Sequence, residues 1–120
     1  MARHNEIGKQ GEVIAAQFLE KKGYKIIAQN WRHQKGELDI ISTFNKQIVI
    51  VEVKTRTSDK VENPKEAVTI SKQKRIVKAA DAYIQEKDIN LECRFDIIAV
   101  LLQDDETSIE HIEDAFYPLL

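Results

Sequence analysis

The 120-residue chain has little of what marks a specialised protein class. It has one cysteine, Cys93, which excludes an internal disulfide and a cysteine-rich zinc site. Within a β-prone run, that residue reads as a small buried apolar side chain. Its two prolines, Pro64 and Pro118, fall in a loop and near the end. No apolar run approaches the length of a membrane span. The N-terminal residues Met1 to Glu6 lead directly into an amphipathic pattern, without the apolar core of a secretory signal. Together with the lone thiol, this predicts a cytoplasmic protein with no membrane partner. No glycine-rich phosphate loop follows any strand, which argues against a small-molecule α/β enzyme. His4, His33 and His111 lack metal-ligand spacing, and surface or loop roles suffice for them. With no repeat, low-complexity tract or linker, the length predicts one domain over residues 1–120.

What is present is ordinary globular chemistry. Hydrophobic residues make up 42% and charged residues 32%, a balance that argues against disorder. The net charge of −2 conceals a split: residues 1–78 carry a net +7 and residues 79–120 a net −9. Such asymmetry predicts one basic and one acidic face.

Ile7, Gly11, Ile14, Ala15, Phe18 and Leu19 form one stripe at helical spacing, predicting a helix over 6–22 stopped by Gly23. Tyr24 to Ala28 is a short β-prone run. Asn30, Gln34, Lys35 and Gly36 read as a turn-rich connection. Glu37 to Thr43 and Ile48 to Thr55 read as strands joined by a hairpin tip at Asn45-Lys46. The second of these is nearly continuous and β-branched, as a central strand would be. Residues 56–66 read as a loop. Ser71 is the expected N-cap of a helix running to about Lys87. Phe95 to Leu102 reads as a buried strand, and Ser108 to Ile112 as a closing edge strand. The predicted class is α/β, with an α-β-β-β-α-β core in which helices flank a mixed central sheet.

Charges interrupt the best strands, where they are rare without reason. Asp39 breaks the first long strand; Glu52 and Lys54 break the most apolar one. Alternation puts Glu52, Lys54 and Arg56 on one face, and Glu37 and Asp39 on one face of their own strand. A hairpin can bring these faces together, with Glu12 leaning over from the first helix. Clustered carboxylates raise one another's pKa unless a cation offsets them, and Mg²⁺ takes such oxygen ligands together with water and phosphate. An Asp-Glu-Lys set beside a metal suits phosphodiester hydrolysis. A structural ion pair of Lys54 with Glu52 or Asp39 is the competing interpretation.

Asp39, twelve residues, then Glu52-Val53-Lys54 resembles the signature of the PD-(D/E)xK nuclease superfamily, with Leu38 in place of its proline. A longer set of segments resembles the bacterial YraN family, which is similar to archaeal Holliday-junction resolvases. They are Gly8 to Glu12 with Ala15-Ala16, Asn30-Trp31-Arg32, Gly36 to Ile41, Val51 to Arg56, Lys72 to Arg75 with Ala79-Ala80, and Arg94-Phe95-Asp96. The resemblance covers roughly residues 7–102 and implies a restriction-endonuclease-like core. It implies Asp39, Glu52 and Glu12 as ligands of Mg²⁺ or Mn²⁺ and Lys54 as the catalytic lysine, with all four in the catalytic set. A homodimer is implied by the resolvases, which make two symmetric cuts.

Residues 54–78 hold 8 Lys or Arg against 3 Asp or Glu, and phosphate contacts dominate affinity for DNA. Arg56, Lys72 and Arg75 are the candidate nucleic-acid contacts, the last two one turn apart near a helix N-terminus. Trp31 is expected to pack. Asp96 is expected to pair, with Arg94 or a helix lysine. Two functions follow: a metal-dependent endonuclease acting on DNA, branched DNA included, or a non-catalytic nucleic-acid-binding or protein-interaction module on the same fold.

Overall fold

Asn45 and Lys46 both adopt positive φ, 52° and 65°. This pair of left-handed residues forms a two-residue turn whose twist matches that of the strands it joins. The computed structural model describes residues 2–57 and 63–118, and that turn joins the strands Gly36–Phe44 and Gln47–Arg56. The order is α1 (Ala2–Lys21), β1 (Lys25–His33), β2 (Gly36–Phe44), β3 (Gln47–Arg56), α2 (Pro64–Ala67), α3 (Ile70–Glu86), β4 (Glu92–Leu102) and β5 (Thr107–Phe116). The strands form one mixed sheet in the order β1-β2-β3-β4-β5, antiparallel throughout except for the parallel pair β3–β4. The architecture is the expected α/β one, and it is consistent with a restriction-endonuclease-like core.

β3 is central, as its continuous β-branched run requires, and Ile48 to Glu52 are buried. Its alternate residues feed two cores. Ile48 and Ile50 pack with Leu38, Ile41, Phe95 and Ile97 under Ile76, Ala79, Ala80 and Tyr83 of α3. Val49 and Val51 pack with Ile40, Ile98 and Val100 under Ala15, Ala16 and Leu19 of α1. Each helix therefore covers one face of the sheet.

Two glycines set how closely the helices sit. A Cβ on Gly11 would lie 1.8 Å from Thr55 Oγ1, so α1 rests on the end of β3 only because that position has no side chain. A Cβ on Gly36 would lie 2.7 Å from the carbonyl oxygen of Arg75, so α3 rests on β2 in the same way.

Several elements differ from their sequence-based limits. β1 continues through Asn30 to His33, where a turn-rich connection was expected. The strand absorbs Asn30 at φ 53°, a conformation Asn tolerates better than most residues, and the turn is confined to Gln34-Lys35. α3 is capped by Thr69, whose hydroxyl accepts the Lys72 amide hydrogen at 3.2 Å, so it begins before Ser71. Pro64 opens the short α2, a position where its missing N–H leaves nothing unpaired. Residues 58–62 of the expected loop lie outside the described residues, as do Leu119 and Leu120. Cys93 is exposed rather than buried. Among the described residues no helix is long and apolar enough to cross a membrane.

Candidate active site

The ladder between β2 and β3 stops at the pair Ile40–Val51. One step further, Asp39 and Glu52 would stand opposite each other. There the strands part, and Asp39 Oδ2 accepts the Val53 amide hydrogen at 2.9 Å in place of a backbone carbonyl. The alternation of β2 breaks at the same point. Leu38 and Ile41 pack on the α3 side while Ile40 packs on the α1 side; strict alternation would put Leu38 with Ile40. The positive φ of Asn30 falls between the pairs Gln29–Ile40 and Trp31–Leu38, opposite Asp39. The distortion turns the Asp39 carboxyl into the gap between β2 and β3. Glu52 remains in the parallel ladder, opposite Ile97 of β4.

The carboxyl groups of Asp39 and Glu52 come within hydrogen-bonding reach of each other, at 9% and 5% exposure. Burial pushes the Asp39 carboxyl up, and the Glu52 charge and hydrogen bond, with Glu12 beyond, add to it. The Val53 amide opposes them, and the balance is about 8. Such a pair does not hold two negative charges by itself at neutral pH.

Two lysines answer it. Lys72, from the first turn of α3, places Nζ 2.6 Å from Glu52 Oε2. Burial lowers the Lys72 pKa, but the hydrogen bond and charge of Glu52 outweigh it and hold the ammonium above its ordinary range. Lys54 is half-buried and hydrogen-bonds to Lys72. Burial first and then the Lys72 charge press the Lys54 amine below its ordinary value, against the pull of Glu52 and Asp39. Of the two amines, Lys54 is the readier proton acceptor. Asp39, Glu52 and Lys72, with Glu37, Arg75 and Ile76, line a pocket of about 240 Å³.

The remaining predicted residues stand around this cluster. Glu12 lies one residue beyond Gly11; burial raises its carboxyl, a hydrogen bond to Asn30 lowers it, and the charges of Glu37 and Glu52 raise it further. It is thus within electrostatic reach of the pair. Glu37, on the wall of the same pocket, pairs with Arg32, 2.8 Å from its Nε. Arg56 is half-buried two residues beyond Lys54 on β3. Trp31 packs edge-on against Tyr83, ring centroids 5.1 Å apart.

Among the described residues, no three His, Cys, Asp or Glu side chains form a ready-made metal cage. Asp39 and Glu52 are nonetheless the donor set a hard divalent cation takes, with its other positions left to water and phosphate. A cation bound there would offset the carboxylate charge that helps raise the Asp39 pKa.

Reading the sequence missed two participants. Asn30 looked like a turn residue, and its place as partner of Glu12 depends on β1 pairing with β2. Lys72 is among the expected phosphate contacts, and its contact with Glu52 is what the sequence did not suggest. The (i, i+3) spacing of Lys72 and Arg75 gave one shared face but not what that face meets.

A second polar cluster lies on the α1 side of β4. Asp96, with no exposed surface, accepts hydrogen bonds from Arg94, His111 Nε2 at 2.7 Å and the Asp114 amide at 3.0 Å. Burial raises this carboxyl, but those bonds prevail and hold it below the usual range. His111 Nδ1 is 2.9 Å from Lys22 Nζ. With its side chain 4% exposed, His111 is a core residue, not a surface one.

The model of the uncharacterised protein family UPF0102 matches residues 11–100, three quarters of the chain. The chain belongs to this family. It is 50% identical over 117 residues to a UPF0102 protein of Flavobacterium psychrophilum, covering 98% of each. It is 48% identical over 120 residues to one of Bacteroides thetaiotaomicron, covering 100% of this chain and 99% of the other. Phocaeicola vulgatus has a UPF0102 protein 46% identical over 118 residues, with 98% of each covered. The matched span contains every residue of the Asp39–Glu52–Lys54–Lys72 cluster.

Proposed function

We propose that the chain is a divalent-metal-dependent endonuclease of the PD-(D/E)xK superfamily that hydrolyses DNA phosphodiester bonds, with branched or junction DNA the first substrate to test. The observation that carries this reading is the buried Asp39–Glu52 carboxylate pair, with Lys54 beside it, at the point where β2 and β3 separate. Burying two carboxylates side by side is unfavourable for the fold alone, and a cation–phosphate site gives the arrangement a use.

Asp39 and Glu52 would hold Mg²⁺ or Mn²⁺, with Glu12 at the margin of the ligand set. When bound, the ion supplies positive charge that offsets the carboxylates and stabilises the phosphodiester transition state. Lys54 Nζ accepts the proton of the attacking water as its oxygen bonds to phosphorus. The opposite P–O bond breaks, and the departing sugar oxygen takes a proton from solvent. Arg56, Lys72 and Arg75 bind backbone phosphates, which fixes register without reading sequence. A second copy of the chain is the partner expected if the substrate is a symmetric junction.

One observation favours a second reading. Glu52 already has a partner in Lys72 at 2.6 Å, so the cluster can stand as a structural ion pair in a non-catalytic nucleic-acid-binding or protein-interaction module. Single-stranded, duplex, flap and four-way-junction DNAs incubated with wild type and Asp39→Ala in Mg²⁺, Mn²⁺ or EDTA separate the two. Metal-dependent cleavage that disappears in the variant is the expected result. DNA binding retained by both proteins without cleavage selects the module.

A further inference from the structure

We propose that Lys72 is a built-in competitor for the metal. Its ammonium occupies the cation position beside Glu52 in the resting protein, and an entering divalent cation displaces it toward the pocket mouth, where it takes a DNA phosphate. The proposal rests on the nuclease reading for its metal and its substrate, and on this chain's own geometry for everything else.

Three observations carry it. The Lys72 ammonium lies 2.6 Å from Glu52 Oε2, against a carboxylate with only 6% of its side chain exposed. A cation bound to that carboxylate must share or take the place Lys72 holds. Lys35, Lys72 and Arg75 all line the pocket of about 240 Å³, so a divalent cation would enter beside three cationic side chains. Like charges that close in a partly buried site do not coexist without rearrangement.

The fold also decides which group moves. Glu52 is fixed in the β3–β4 ladder. Lys54 stands on the same central strand. Lys72 alone comes from a helix, on a flexible four-carbon stem with 34% of its side chain exposed, so it can swing outward while its backbone stays in α3. Arg75, one turn further along, lines the same pocket and marks the direction in which a phosphate would be met.

The test needs no cleavage. Mn²⁺ is titrated calorimetrically, without DNA, into wild type, Lys72→Met, Lys72→Gln and Lys72→Arg, each first shown to be folded by circular dichroism. Removing the competing charge is expected to tighten Mn²⁺ binding roughly tenfold in the Met and Gln variants, the equivalent of one modest ion pair. The Arg variant keeps the charge and is expected to bind as wild type does. Equal or weaker binding in both neutral variants overturns the competitor role and leaves the nuclease reading standing. Binding in none of the four proteins overturns both. In Ca²⁺, four-way-junction DNA is expected to bind Lys72→Met more weakly than wild type, with a salt slope shallower by about one phosphate contact. Unchanged affinity and slope overturn the transfer to phosphate.

Discussion

Asp39 accepts the amide hydrogen of Val53 where β2 stops pairing with β3. Asp96 does the same for Asp114, where the β4–β5 register shifts between Phe95 and Ile97. In both places a buried aspartate takes up a strand amide at an irregularity in the sheet. The two have opposite electrostatic outcomes. Asp39 lies among carboxylates and its pKa rises; Asp96 lies among Arg94, His111 and an amide and its pKa falls.

That contrast predicts a two-sided pH dependence of stability in the metal-free protein. Asp39 is raised to about 8, so the folded state favours its protonated form. Its contribution is complete below the ordinary aspartate range and is lost as pH rises toward 8. Asp96 is depressed, so its contribution is present above the ordinary range and is lost as pH falls through its folded value. Urea denaturation in EDTA should show stability falling below the ordinary aspartate range and also falling as pH rises from that range to about 8. Asp39→Asn should flatten the limb that ends near pH 8 and leave the acid limb in place.

Asp96→Ala removes the partner of Arg94 and His111 from a site with no solvent access. Breaking a buried ion pair on one side typically destabilises by about 3–5 kcal/mol, which should appear as a large drop in Tm. Because this cluster lies on the α1 face, the folded fraction of the variant should keep its Mn²⁺ affinity, as measured by titration below the new Tm.

Lys54→Met should lower kcat on a cleavable DNA by about 100-fold or more, the usual scale for a lost general base. In the wild type, kcat should rise with pH through a midpoint below the ordinary lysine range, since burial and Lys72 press the amine downward. A pH–rate profile of wild type and variant checks both points. A rise that survives in Lys54→Met would assign the titration to another group.

Gly11→Ala should destabilise by about 1–3 kcal/mol, the range for overpacking, because the new Cβ meets Thr55 Oγ1 at 1.8 Å and Cγ2 at 2.7 Å. Thr55→Ala removes both atoms but leaves its own Cβ at 2.8 Å, so it should restore part of the loss. A double-mutant cycle by chemical denaturation measures that coupling. In Gly11→Ala, Glu12 should also shift relative to the carboxylate pair, read as weakened Mn²⁺ binding.

The apolar frame of the fold was legible because it is written in local periodicity. Ile48 to Thr55 could be little but a central strand, and Asn45-Lys46 little but its turn. The stripe from Ile7 to Leu19 named α1. The proximity of Asp39 and Glu52 was legible too, because a hairpin fixes register over a short span. What escaped depended on distant pairing. Asn30 departs from the β pattern through its own φ, and only pairing with β2 keeps it in a strand. Cys93 sits in a β-prone run, yet the end of β4 where it lies is exposed. His111 becomes buried only once β5 pairs with β4 and α1 ends beside it. Lys72 announced a charged helix face, and nothing local announced Glu52 beneath it.

The separation of contributors along the chain has a consequence for assembly. Asp39 and Glu52 belong to one hairpin with a tight turn, and hairpins form on the microsecond scale, ahead of most non-local contacts. Lys72 reaches Glu52 only after α3 has docked on the sheet. The acidic half of the site can therefore exist first as a repelling pair that burial cannot yet reward. Docking of α3 supplies the ammonium that quiets it, so the same residue that guards the site in the finished protein would act during folding as a latch between helix and hairpin.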